Sequence, residues 1–126
     1  MILGTGVDIV ETARIRRAAI KWKDRFLRRV FTDNELRYAR TKKFVYEHLA
    51  ARFAAKEAVL KAFGDSSIAT MEWKEIEIVN NDDGKPIVRL DGAAKRTMVK
   101  RNIKEIMVSL SHSKNYAVAN AILVSR

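Results

Sequence analysis

Three features of this sequence predict an α+β fold, an antiparallel sheet packed on one long central helix. The first is the stretch Leu49 to Gly64, LAARFAAKEAVLKAFG, rich in strong helix formers and free of proline and internal glycine. The second is the opening run Ile2 to Val10, which alternates as a strand does. The third is a pair of later segments in which short apolar alternations flank turn residues, the pattern of hairpins. Strands and helices grouped in this order favour segregated layers over a parallel βαβ sheet.

Along the chain, Ile2, Gly4, Gly6, Asp8 and Val10 fall on one side of the first strand, with Leu3, Thr5, Val7 and Ile9 on the other. The two glycines clear space beside Asp8, a carboxylate that needs a cation, a metal or several N–H donors if it is buried. A helix cap or a nearby arginine would serve equally well. From about Thr12 to Val30, Ile15, Ala18, Ala19, Trp22, Phe26, Leu27 and Val30 form an apolar side under basic residues, as one helix or as two broken near Ala19 to Lys23. Thr32-Asp33-Asn34-Glu35 reads as a capping box opening a short helix that ends near Arg40.

The central helix is expected to begin near Phe44 and to end at Gly64 in a left-handed cap. On its wheel Leu49, Phe53, Leu60 and Phe63 make one stripe and Ala50, Ala54, Ala58 and Ala62 a second, close-packing one. Arg52 and Lys56 fall inside the large apolar stripe, and Glu57 and Lys61 lie at the edge of the alanine stripe. As packing alone, this is an i, i+4 Glu to Lys pair worth ~0.2 to 0.5 kcal/mol with cationic stems reaching to water. Asp65 to Thr70 reads as loop, Trp73 to Val79 and Ile87 to Leu90 as a hairpin across Asn80 to Pro86, Gly92 to Arg101 as a short basic helix, and Ile106 to Leu110 with Tyr116 to Val124 as a second hairpin.

A chain of 126 residues, 48% hydrophobic and without repeats, suits one domain spanning 1–126. The absence of cysteine removes disulfides and thiolate metal sites, and argues for a reducing, cytoplasmic setting. No stretch has the run of about 18 apolar residues that a membrane span needs. The net charge of +10 predicts a polyanionic partner, and the crowding of Arg14, Arg16, Arg17, Lys21, Lys23, Arg25, Arg28 and Arg29 predicts a docking face.

Three polar groups interrupt core-like segments: Asp8, Glu57 with Lys61, and Ser111-His112. Two carboxylates without thiols suit a hard divalent cation, and Mg²⁺ takes one or two carboxylates while phosphate oxygens and water complete its shell. A lysine one turn after such a glutamate could stabilise charge on a leaving phosphate.

The blocks GTGVDIVE at 4–11, RFAAKEAVLKAFG at 52–64, NDDGKP at 81–86 and SLSHSKNYA at 109–117 resemble, in order and across nearly the whole chain, those of the holo-acyl-carrier-protein synthase family, the short type of 4'-phosphopantetheinyl transferase. The resemblance implies that family's fold and its reaction: transfer of the phosphopantetheine arm of coenzyme A to a serine of an apo acyl carrier protein, a step serving fatty acid biosynthesis, with release of adenosine 3',5'-bisphosphate. It implies that Asp8 and Glu57 hold Mg²⁺, that Lys61 contacts the pyrophosphate, and that Glu57 or a water on the metal takes the serine proton. Arg52 and His112 match positions around the 3'-phosphate of coenzyme A, and Gly84-Lys85-Pro86 matches a turn that closes over the nucleotide from a neighbouring subunit. Arg14, Arg25 and Arg28 would meet the acidic carrier protein, and the chain would form a homotrimer with sites between subunits. After Gly64 many family members carry a Thr-Gly pair where this chain has Asp65-Ser66-Ser67, which adds negative charge near the expected phosphates.

Two other readings compete on charge alone. A nucleic-acid module would need more than the 8% aromatic content and a recognised motif, and a non-catalytic scaffold for acidic partners would leave Asp8 and Glu57 replaceable. The expectation is therefore no nucleic acid and no membrane.

Overall fold

A computed structural model describes residues 1–126, Ile68 by its backbone alone. The chain runs β1 (Ile2–Glu11), α1 (Thr12–Trp22), α2 (Asp24–Val30), α3 (Asp33–Arg40), α4 (Val45–Phe63), α5 (Asp65–Ile68), a 3-10 turn (Trp73–Glu75), β2 (Ile76–Asn80), β3 (Pro86–Leu90), α6 (Gly92–Lys100), β4 (Ile103–His112) and β5 (Tyr116–Ser125). The α+β class stands, with the strands divided between two antiparallel sheets: a three-stranded one in the order β1-β5-β4 and the separate hairpin β2-β3.

The sheet and α4 approach closely because one strand carries no side chains where they meet. A Cβ on Gly4 would run into the Ala62 carbonyl, and one on Gly6 into the Ala58 carbonyl. The alanine stripe of α4 thus lies on the bare backbone of β1. The same sheet face buries Val10, Val108, Ala117, Ala119, Ala121 and Leu123. Alternation puts Val7, Ile9, Met107, Tyr116 and Val118 on the opposite face, where they are exposed.

On its other side α4 meets α1, α3 and β2, so it is buried almost all round. From Leu49 to Phe63 every residue is buried except Glu57 and Lys61. Arg52 and Lys56 do not reach to water as their positions suggested. Lys56 is fully buried and pairs at 2.6 Å with Glu35, itself fully buried, and also donates to the carbonyls of Val30 at 2.7 Å and Trp73 at 3.0 Å. Glu35 accepts from the backbone of Thr32 and Ile78. The capping box at Thr32 is present, and its glutamate does more than cap. Burial pushes Glu35 up and Lys56 down from their ordinary pKa values, and each charge opposes the other's shift.

The α1–α2 break falls at Lys23, inside the expected span from Ala19 to Lys23, and its φ of 48° is one no helix accommodates. Other boundaries differ from expectation for physical reasons. Gly64 has φ 98° and ψ 166°, a glycine conformation but not the expected left-handed helical cap, and Asp65–Ile68 forms a short helix, not a loop. Trp73–Glu75 is a 3-10 turn and no part of the strand, because Glu72 and Glu75 cap it reciprocally. Finally, β4 starts earlier than expected, at Ile103, across a register shift between Ile103 and Glu105 that breaks its alternation. Among the described residues no helix is long and apolar enough to cross a membrane.

Candidate active site

The two openings in the wall of α4 are where its charges meet other elements. Lys61 does not pair with Glu57 as their spacing suggested. Its Nζ reaches across to β1, 2.8 Å from Asp8 Oδ1 and 3.1 Å from the Val7 carbonyl. Asp8 therefore neither caps α1, whose N-cap at Glu11 makes no side-chain bond, nor meets an arginine. The Lys61 side chain is 49% exposed and that of Asp8 16%, so the pair sits at the edge of solvent. Glu57 instead accepts a hydrogen bond at 3.0 Å from the indole Nε1 of Trp73, a partner that sequence reasoning missed.

Glu57 also lines a cavity of about 570 Å³ between α4 and the first two helices, together with Trp22, Phe26, Phe53, Trp73 and three arginines, Arg14, Arg25 and Arg29. Trp22, on the apolar side of α1, is 47% exposed at this rim, with Lys21 and Arg25 over its ring. Arg28 stands apart from the cavity, engaged with Asp24 and Asp33 at 3.6 and 3.4 Å.

A second cavity, of about 360 Å³, gathers Arg52, Gly84, Pro86, Ser111 and His112 with Tyr38, His48 and Asn80. The guanidinium of Arg52 lies 4.0 Å from the centre of the Tyr38 ring, which is half-buried, and burial pushes its pKa down. Its Nε is buried without a hydrogen-bond partner. A buried donor of this kind calls for an acceptor, and an anion in the cavity would supply one. His48 stacks edge-on against His112 at 4.8 Å, and His112 Nδ1 lies 3.3 Å from Glu47 Oε1. Burial, then the neighbouring His112, lowers the pKa of His48. Gly84, at φ 82°, closes the turn whose backbone is held by the Asn81 side chain, while Lys85 between the two cavity-lining residues points into solvent.

The donor chemistry suits a hard cation. Asp8 and Glu57 each have one oxygen engaged, by Lys61 and Trp73, and the second oxygen of each carries no hydrogen bond among the described residues. No group of three or more His, Cys, Asp or Glu completes a protein cage among the described residues. Glu57 lines the cavity and Asp8 lies at the solvent edge, and carboxylates with oxygen to spare fit an ion that keeps water and phosphate oxygens, as Mg²⁺ does.

Residues 4–121 match the model of the 4'-phosphopantetheinyl transferase superfamily. The chain belongs to that family. A holo-[acyl-carrier-protein] synthase from Natranaerobius thermophilus is 45% identical over 125 residues, covering 99% of each chain. Among solved structures, the holo-[acyl-carrier-protein] synthase of Neisseria meningitidis superposes with a TM-score of 0.87 at 30% identity over 98% of each chain. That of Bacillus anthracis, described in complex with CoA (3',5'-ADP), gives 0.80 at 37% identity over 100% of this chain and 99% of that one. In this transferase the blocks that carry the family resemblance build the Asp8–Lys61 contact, the Glu57 opening and the Arg52–His112 cavity.

Proposed function

We propose that this chain transfers the 4'-phosphopantetheine group of coenzyme A to a serine of an apo acyl carrier protein, with Mg²⁺ held by Asp8 and Glu57. The observation that carries the reading is the exposure pattern of α4, whose stretch from Leu49 to Phe63 is buried except at Glu57 and at Lys61, which reaches Asp8. A cation bound by the two carboxylates would neutralise pyrophosphate charge. Lys61 holds Asp8 through a half-exposed ion pair of the kind worth about 0 to 1 kcal/mol, so its ammonium is free to exchange onto a phosphate oxygen. The carrier serine enters from the arginine-rimmed cavity, and its Oγ bonds to the phosphorus that bears pantetheine. The bond from that phosphorus to the bridging oxygen breaks, and adenosine 3',5'-bisphosphate leaves. Glu57 lies at the cavity wall to receive the serine proton, directly or through a water. Arg14 and Arg25 face an acidic carrier from the same cavity, and Arg28 flanks them.

Arg52, His112, Gly84 and Pro86 would hold the 3'-phosphate and nucleotide. Arg52 and Lys61 are nine residues apart, about two and a half turns, so they leave opposite sides of α4. One coenzyme A then bridges two copies, the nucleotide on one and the pyrophosphate on the next. The uncovered apolar face of the three-stranded sheet, with Val7 63%, Ile9 65% and Val118 40% exposed, supports that association, which we take to be a homotrimer. Residues 1–126 act as one domain, in the cytoplasm.

The test is to mix the protein with coenzyme A, Mg²⁺ and an apo acyl carrier protein and to follow the carrier's mass. A gain of one phosphopantetheine that disappears with Asp8→Ala or Glu57→Ala, while carrier binding persists, is expected. Unchanged turnover in both variants would refute the metal assignment and favour a scaffold.

A further inference from the structure

Glu57 stands at an opening, where a carboxylate would ordinarily sample several rotamers, yet its position is fixed from an unexpected side. The indole N–H of Trp73 donates to Glu57 Oε1 at 3.0 Å. Trp73 is itself held at three points. Its carbonyl accepts from the buried Lys56 ammonium at 3.0 Å, its ring rests on Phe53 with centroids 6.0 Å apart, and the 3-10 turn it opens is closed by the Glu72–Glu75 capping box. The Lys56 ammonium is anchored in turn by Glu35. A continuous set of bonds thus runs from the buried ion pair to the open carboxylate.

The chemistry of the donor matters as much as its place. An indole N–H only donates, and it neither titrates nor carries charge. It can orient a carboxylate without neutralising it, whereas a lysine or arginine there would compete with a cation. Asp8 shows the contrast, since its partner is a charged, half-exposed ammonium.

We propose that Trp73 is a positioning residue that fixes Glu57 Oε1 and leaves Oε2 as the oxygen offered to the divalent cation. The proposal rests on the magnesium reading above and deepens it. Outer-sphere donors of this kind tune metal affinity by about 10- to 100-fold.

The decisive variant is Trp73→Phe, which keeps a ring on Phe53 and deletes the donor. Calorimetric Mg²⁺ titration of the coenzyme A-saturated protein should show affinity weakened by about tenfold or more. The Mg²⁺ concentration for half-maximal turnover should rise in parallel, and turnover at saturating Mg²⁺ should return close to that of the parent. A merely structural tryptophan would lower the melting temperature and leave the metal dependence where it was, and that result overturns the proposal. Glu57→Gln, run alongside, separates the two layers: if it too leaves Mg²⁺ binding unchanged, the magnesium reading has failed, and if it abolishes binding while Trp73→Phe does not, only the role of Trp73 has. Should Trp73→Phe not fold, the indole N–H resonances of the parent protein decide, with Trp22→Phe identifying the Trp73 signal. A shift of that signal on adding Mg²⁺ to the coenzyme A complex supports the proposal, and an unmoved signal overturns it.

Discussion

Two lysines on α4 meet carboxylates at nearly the same distance, Lys56 with Glu35 at 2.6 Å and Lys61 with Asp8 at 2.8 Å, and they do opposite things. The first pair has no exposed surface, and backbone groups saturate it: Lys56 donates to two carbonyls and Glu35 accepts from two amides. The second is open on the lysine side and leaves carboxylate oxygen to spare. Burial with complete hydrogen bonding makes an ion pair a fixed joint between α3, α4 and β2, while exposure with unfilled valence makes one an exchangeable contact. The distance alone carries neither meaning.

Removing each lysine should separate the two roles. Lys56→Ala leaves Glu35 buried without its cation, and is expected to cost about 3 to 5 kcal/mol of folding stability, read from urea unfolding. The paired change Glu35→Gln with Lys56→Met should recover part of that loss, whereas a mild effect of the single change would erase the contrast. Lys61→Ala should alter stability by no more than about 1 kcal/mol and lower the turnover number by about 100-fold, the loss typical of one transition-state donor. A Lys61→Ala protein that unfolds instead would make its ion pair structural after all.

The comparison extends to the basic surface. Arg14→Glu, at the rim of the Glu57 cavity, should raise the KM for an acidic carrier about tenfold and weaken the salt dependence of association, with stability unchanged. The same change at Arg16, outside that cavity, should do less. The smallest effect concerns His48. Its folded-state pKa lies below the ordinary 6.5, so the fold disfavours the protonated ring. Stability is then full above that pH and falls as the pH drops through it, levelling off below the folded-state value. His48→Asn should flatten this decline of melting temperature with acidification. An identical decline in the variant would assign it elsewhere.

How legible these features are in the sequence depends on how local their causes are. The alternation of β1 and β5, the Thr32 capping box and the helix-forming run of α4 are local patterns, and each corresponds to an element. The start of β4 is hidden because a register shift interrupts its alternation, and the Trp73–Glu75 turn because it runs without a break into the alternating strand that begins at Ile76. Asp8 is readable as a carboxylate in need of a cation, and Lys61 as the site's lysine. That each satisfies the other depends on the Gly4–Gly6 backbone lying on the alanine stripe, a tertiary contact. Lys56 looks like a solvated stem, since its partner is a capping glutamate already assigned a local task. The indole of Trp73 leaves no periodic trace at all.

Most rests on whether the open carboxylates, Asp8 and Glu57, grip one divalent ion while the nucleotide rests on another copy of the chain. A crystal grown with coenzyme A and Mn²⁺ in place of Mg²⁺ tests this by anomalous scattering. One peak in contact with both carboxylates is expected, with the 3'-phosphate against Arg52 and His112 of a neighbouring molecule. A metal peak remote from both acids, with Asp8 still bound to Lys61, would contradict it.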